Sequence, residues 1–145
     1  MTEQANMGCT VRWAGEGMAL LAETGSNHLV AMDGAPDGGG RNLAPRPMEM
    51  VLAGTGGCAA YDVVVILKKS GQQVRGCEIR LAAERAAADP KVFTKIHMHF
   101  VVRGHALKRN LVEQAIRLSH EKYCSATIML GKTAQITKDF EILDE

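Results

Sequence analysis

Four cysteines, Cys9, Cys58, Cys77 and Cys124, are the side chains best suited to chemistry in this chain. They stand 49, 19 and 47 residues apart, so no CxxC occurs and neither a zinc ribbon nor a thioredoxin motif is available. Two of them have unusual surroundings. Cys58 closes the run Pro47-Met48-Glu49-Met50-Val51-Leu52-Ala53-Gly54-Thr55-Gly56-Gly57-Cys58, with three glycines in four residues. Inside a helix each glycine costs about 1 kcal/mol relative to alanine. Accepting that cost points to close backbone approach, by a partner helix or by a substrate. The structural alternative is that the glycines let helices cross and Cys58 is a small buried residue. Cys124 lies in Glu121-Lys122-Tyr123-Cys124-Ser125-Ala126, where one helix closes and a short one begins. A thiol near a helix N-terminus has its thiolate stabilised by the local dipole, which lowers its pKa, and Lys122 adds positive field.

Other candidates weigh less. His97 and His99 share one strand face and two imidazoles can begin a metal site, but no third ligand is close in sequence. His120 precedes Cys124 by four residues and so shares its helical face; solvent exposure is the simpler expectation. Asp62, four residues after Cys58, would oppose a thiolate beside it, and is expected at a polar interface or capped by hydrogen bonds. Cys9 and Cys77 fall in strand candidates and read as small strand residues, while Trp13 and Met98 read as core. Gly38-Gly39-Gly40 lacks the GK[ST] ending of a phosphate loop, which argues against nucleotide binding.

The elements that must position these residues follow from periodicity and breakers. Three short strands are expected at Thr10 to Trp13, Met18 to Ala22 and His28 to Met32, separated by glycine-bearing turns. Asp33 to Pro45, rich in Gly and Pro, is a long irregular connection. Pro47 suits a helix's first turn, and Met48 to Ser70 is apolar nearly all round until Gly71 supplies a stop. A helix without a polar face must be covered on most sides, and a chain of 145 residues provides little cover. A second copy of the chain is the expected cover, giving a homodimer. Two long strands follow, Val74 to Ala87 and Val92 to Arg103; in the second, Ile96, Met98, Phe100 and Val102 alternate with Lys95, His97, His99 and Val101. An amphipathic helix is expected over Leu107 to Tyr123, then a short apolar turn from Ala126 to Leu130 and a last strand from Ala134 to Ile142. The class is α+β, an antiparallel sheet backed by helices, in one domain over residues 1–145.

Composition excludes several partners. Seventeen basic and 16 acidic residues leave a net charge of +1, without the basic face that nucleic acid demands. Lys68-Lys69 and Lys108-Arg109 sit at expected helix ends and read as structural. The N-terminus Met1-Thr2-Glu3-Gln4-Ala5-Asn6 lacks the pattern of a secretory signal. Met48 to Leu67 is about membrane length but carries Glu49 and Asp62 beside its glycines, so it is expected as a core helix, with no membrane partner. The cytoplasm is therefore the expected location, where the four cysteines would be free thiols unless function oxidises them.

Pro-Met-Glu-Met-Val-Leu followed by Gly-Gly-Cys, then a hairpin, a helix and Lys-Tyr-Cys-Ser, resembles the OsmC/Ohr family of osmotically induced and organic hydroperoxide resistance proteins, and within it the YhfA-like branch. The resemblance runs over nearly the whole chain. It implies an OsmC-like fold, with antiparallel sheets around a long buried helix in an intertwined homodimer. It also implies that Cys58 is the peroxidatic cysteine and Cys124 the resolving one. The Cys58 thiolate would attack the distal oxygen of an organic hydroperoxide, and Cys124 would condense with the resulting sulfenic acid. An external dithiol would then reduce the disulfide. No metal, flavin or haem is required.

Glu49 matches the carboxylate that precedes the family's reactive cysteine. Nine residues along a straight helix rotate about 900° and rise roughly 13 Å, so Glu49 and Cys58 of one chain face opposite ways. Either the helix is distorted at the glycines or Glu49 serves a neighbouring subunit, and the second is expected. Two departures bear on activity. The stretch Leu29-Val30-Ala31-Met32-Asp33-Gly34 has no arginine where peroxidase members place one, and Arg41 and Arg46 in the following loop substitute only if that loop folds over the site. Ser125 stands where many members have proline. A thiol-dependent hydroperoxide reductase is the first expectation. A non-enzymatic module holding a small hydrophobic ligand, or a stress protein with inert cysteines, is the alternative.

Overall fold

The computed structural model describes residues 7–145. The polar stretch Met1 to Asn6, read above for targeting, lies outside the described residues. Two compact units result, one ending at Val51 and the other spanning Leu52–Glu145.

In the first unit, Cys9–Trp13 (β1), Leu20–Thr24 (β2) and Leu29–Met32 (β3) form an antiparallel meander in that order. The first turn is made possible by Gly15 and Gly17, both at positive φ, where a side chain would be strained. Trp13, expected in the core, is instead 60% exposed, its indole N–H donating to the Gly17 carbonyl at 3.0 Å. Every residue of β1 is exposed, so this strand has no covered face for Trp13 to join. The glycine-rich connection is organised, contrary to its composition. Asp33 is 2% exposed, and its carboxylate accepts the amides of Gly34 (2.7 Å), Arg41 (3.3 Å) and Leu43 (3.1 Å). Those bonds, the Gly34 amide foremost, hold the Asp33 carboxyl below its ordinary range.

Pro47–Lys69 (α1) begins as the sequence indicates. Pro47 takes the first position, and Glu49 reaches back to accept the Arg46 amide at 2.9 Å, which satisfies a donor that the helix leaves open. The helix runs unbroken through its glycines and stops at Gly71, whose φ of 75° is open to glycine. Its buried residues, Thr55, Gly56, Ala59, Val63 and Leu67, form one stripe at helical spacing. Outside the stripe, Tyr61 is 73% exposed and Val51 is also exposed. Within one chain α1 is therefore covered on one side only. Among the described residues it is the one helix long and apolar enough to cross a bilayer, a test that a soluble core helix also passes.

The second unit centres on Gln73–Arg85 (β4), Phe93–His105 (β5) and Gln135–Asp144 (β6). β4 and β5 form the expected antiparallel hairpin, pairing Leu81 with Met98. β6 corrects the sequence reading: it lies parallel to β5, with Ile96 beside Ile136 and Phe100 beside Phe140. Alternation of apolar residues is the same in either direction, so it cannot report strand sense. The helical crossover between β5 and β6 is what parallel pairing requires. That crossover holds Arg109–Leu118 (α2) and Ser125–Leu130 (α3). Arg109 starts α2 rather than ending a helix, and its guanidinium lies 4.7 Å from the centre of the Phe140 ring. Ile96, Met98 and Phe100 are buried, as are Val112, Ala115 and Ile116 of α2 and Val63 and Leu67 of α1, and these residues make the core.

The long helix expected over Leu107 to Tyr123 is interrupted. α2 ends at Leu118 and is followed by a π-turn, Ser119–Tyr123, in which the Cys124 amide donates to the Ser119 carbonyl five residues back at 2.8 Å. Close approach of helix and sheet is set by Gly56: a Cβ there would lie 2.8 Å from Leu81 Cδ1. Gly54 and Gly57 meet no such neighbour, since nothing stands within 4 Å of a Cβ at either.

Candidate active site

The fold brings two of the three predicted site residues together. The sulfurs of Cys58 and Cys124 and a carboxylate oxygen of Asp62 all lie within 4.8 Å of one another. Cys58 and Asp62 are one turn apart on α1 and share a face. Cys58 is half-buried, whereas Cys124 is fully buried. No disulfide joins them, and all four cysteines are free.

Cys124 owes its place to the π-turn. The wide turn delivers it in an extended conformation, with φ −77° and ψ 96°, as the N-cap of α3. Its sulfur accepts the Thr127 hydroxyl at 2.9 Å and the Thr127 amide at 3.4 Å. The cap foreseen in the sequence is thus present, but its expected effect on acidity is outweighed. Burial pushes the Cys124 thiol up, the Thr127 bonds pull it down, and the neighbouring Cys58 adds a further upward push.

Asp62 is the site residue that the sequence reading left aside. It is both near the thiols and hydrogen-bonded, since the buried Ser119 hydroxyl donates to its Oδ2 at 3.0 Å. The i, i+4 spacing from Cys58 was the available signal; the proximity of Cys124 required the π-turn. Asp62 thus lies beside both sulfurs, its carboxylate oriented by Ser119. Beside Asp62 opens a groove of about 370 Å³ lined in part by Tyr61, Ile66, Lys69, Leu118 and Tyr123. Its walls are largely apolar, with charge at Asp62 and Lys69.

Glu49 is engaged elsewhere. Besides accepting the Arg46 amide, it lies 3.6 Å from the Arg46 guanidinium, which also donates to Asn42 Oδ1 at 2.9 Å. Arg41 pairs with Glu16 at 3.6 Å. Of the two loop arginines, Arg46 is therefore the one beside Glu49.

The remaining cysteines and histidines separate from this site. Burial pushes the Cys77 thiol up to about 11, which keeps it protonated at neutral pH. Cys9 is exposed on β1. His120 is half-buried among Thr127, Ile128 and Ile136, and burial lowers its pKa, followed by the repulsion of Lys138. His97 and His99 do share a face, and the parallel strand supplies partners that the sequence separation hid. Asp139 lies 3.0 Å from His97 and 2.8 Å from His99, and Glu141 lies 3.2 Å from His99. These bonds, Asp139 first, raise the pKa of His99.

Against known proteins, residues 38–138 match the family model described as OsmC-like protein. The chain belongs to the OsmC family. This OsmC-like chain is 46% identical over 137 residues to Protein YhfA of Escherichia coli strain K12, covering 94% of this chain and 98% of YhfA. A solved structural-genomics structure is 44% identical, with a TM-score of 0.86 over 96% of this chain and 100% of its own. An organic hydroperoxide resistance protein OsmC from Legionella pneumophila shares the fold at 14% identity and a TM-score of 0.69, over 95% and 98% of the two chains. The α+β OsmC fold and the YhfA-like resemblance expected from the sequence both stand. OsmC membership supports a redox or stress-related role.

Proposed function

We propose that this protein is a thiol-dependent peroxidase that reduces organic hydroperoxides through Cys58, with Cys124 as the resolving thiol. The observation that carries the reading is the convergence of both sulfurs and the Asp62 carboxylate within 4.8 Å, reached from segments 66 residues apart. Cys58, the more accessible thiol, takes the peroxide. Its sulfur attacks the distal oxygen, the O–O bond breaks, and the thiol proton leaves with the alkoxide as an alcohol. Sulfur is oxidised to a sulfenic acid by the two electrons the peroxide gains. Cys124 then attacks that sulfur, water departs, and a disulfide forms, which an external dithiol reduces by exchange.

A homodimer completes the site in this reading. The exposed side of α1, with Tyr61 at 73% exposure, and the open faces of Gly54 and Gly57 suit a second α1 crossing closely. The Arg46–Glu49 pair then acts on the partner copy's thiol, Arg46 supplying the cation that β3 lacks. The two compact units function as a single OsmC-like domain, and the cytoplasm, where dithiol reductants keep thiols reduced, is the location that suits the cycle.

The decisive experiment follows consumption of cumene hydroperoxide by the dithiol-reduced protein. Cys58→Ser abolishes it with the fold intact, and peptide mapping after one equivalent of peroxide finds a Cys58–Cys124 disulfide. If neither cysteine is oxidised, the peroxidase reading fails. The groove beside Asp62 favours one other reading, a non-enzymatic module holding a small hydrophobic ligand. Ligand retained by Cys58→Ala in native mass spectrometry, without hydroperoxide turnover by the parent, would replace the first reading with the second.

A further inference from the structure

Two sulfurs and a carboxylate converging from two segments also make a coordination set. We propose that reduced Cys58 and Cys124, with Asp62, bind one thiophilic divalent cation, Zn2+ being the fitting example, and that its occupancy blocks the peroxide-reducing thiols. The blocking consequence rests on the peroxidase reading; the binding does not.

The geometry fits. Tetrahedral zinc holds sulfur at about 2.3 Å and carboxylate oxygen at about 2.0–2.2 Å, which puts ligand atoms roughly 3.5–3.8 Å apart. The three donors already lie within 4.8 Å of one another, so a small contraction closes them on an ion. Supporting partners are in place. Ser119, 1% exposed, donates to Asp62 Oδ2 and so fixes the carboxylate's orientation. The Thr127 hydroxyl and amide both point at the Cys124 sulfur, donors that suit a metal-bound thiolate. A fourth position remains for water or an incoming thiol.

Electrostatics points the same way. With both thiols ionised, the three groups would carry a charge of about −3 within this small volume, and repulsion opposes that state. A divalent cation relieves it and leaves a net charge of about −1. Binding forms two metal–sulfur bonds and releases two protons to solvent; no electrons move. Peroxide oxidation to the disulfide removes both anionic sulfurs, so the oxidised protein releases the ion. Cation and peroxide therefore compete for one dithiol.

The test uses full-length reduced protein freed of metal with a chelator, then titrated with Co2+ and displaced by Zn2+. One Co2+ per chain is expected, with a thiolate charge-transfer band that Zn2+ abolishes and peroxide oxidation prevents. Cys58→Ser and Cys124→Ser each lose the band's full intensity and weaken binding, and the near-isosteric Asp62→Asn weakens Zn2+ binding roughly tenfold or more in chelator competition. Circular dichroism checks that each variant is folded. Absence of the band in fully reduced protein, its survival in the Cys58→Ser, Cys124→Ser double variant, or undiminished affinity in Asp62→Asn would overturn the site. Hydroperoxide consumption by the metal-free protein is measured separately. Metal binding without turnover removes the peroxidase reading and leaves the site; turnover without metal binding does the reverse.

Discussion

The Thr127 hydroxyl donates to the Cys124 sulfur across 2.9 Å, in a turn of α3 where both side chains are buried. That bond offsets part of the burial that keeps the thiol protonated, and it ties Cys124 to its helix. Thr127→Val removes the hydroxyl while preserving volume and the backbone amide. A hydrogen bond to a charged group contributes about 1.5–3 kcal/mol, so Cys58–Cys124 disulfide formation should slow about tenfold or more. A time course of non-reducing peptide maps after peroxide measures this. An unchanged rate would mean the hydroxyl serves packing alone.

Gly56 and Gly57 are neighbours with different surroundings. At Gly56 an added Cβ meets Leu81 Cδ1 at 2.8 Å, so alanine forces the leucine to move. That methyl is the end of a half-buried flexible side chain, so it swings aside at small cost and most of the helix-propensity gain of about 1 kcal/mol is kept. Gly56→Ala should leave stability in urea unfolding unchanged or raise it by up to about 1 kcal/mol, and a clear loss would mean that Leu81 is pinned.

At Gly57 the single chain has open space. Gly57→Leu should leave the circular dichroism intact while shifting sedimentation from dimer to monomer. A dimer that persists would place the second copy somewhere other than across α1.

The His99–Asp139 contact predicts a pH window. Asp139 raises His99, and His99 lowers Asp139, in each case as the leading cause. A raised histidine contributes fully below its unfolded value of about 6.5 and loses that contribution as pH climbs through the higher folded value. A lowered aspartate contributes above about pH 4 and loses it as pH falls through the lower folded value. The pair contributes most between roughly pH 4 and 6.5. Melting temperatures of the parent and His99→Gln should differ in that window and converge as pH rises past it. Parallel profiles from pH 5 to 9 would count against the contact.

Asp33 gives a separate check on the first unit. Asp33→Ala removes the acceptor of the Gly34, Arg41 and Leu43 amides. Hydrogen exchange at those amides should speed up selectively, and the parent should show the same change as pH falls through the lowered pKa of Asp33. Protection that survives the substitution would assign the loop's order to other contacts.

The sequence made the main elements legible because each depends on local signals. Pro47 and Gly71 bracket α1, and alternation from Ile96 to Val102 marks β5. The segments that carry Cys58 and Cys124 were recognisable for the same reason. What stayed hidden depends on non-local geometry. Alternation carries no direction, so the parallel pairing of β6, and with it the carboxylates beside His97 and His99, could not be read. Trp13 looked like core because indoles are usually covered, but β1 has no covered face in a single chain. The hydrogen bond expected for Asp62 is present, but its nearness to Cys124 depends on a turn of irregular pitch and could not be read.

That turn also makes the dithiol sensitive to how the chain winds. Each residue of an ordinary helix advances the azimuth by about 100°, more than in a turn closed five residues back. Winding Ser119–Tyr123 as an ordinary helix, with no residue removed, would swing Cys124 away from Cys58, although neither cysteine had been touched. A protein that keeps both thiols can thus be disconnected by substitutions in the turn that no inventory of its functional side chains would detect.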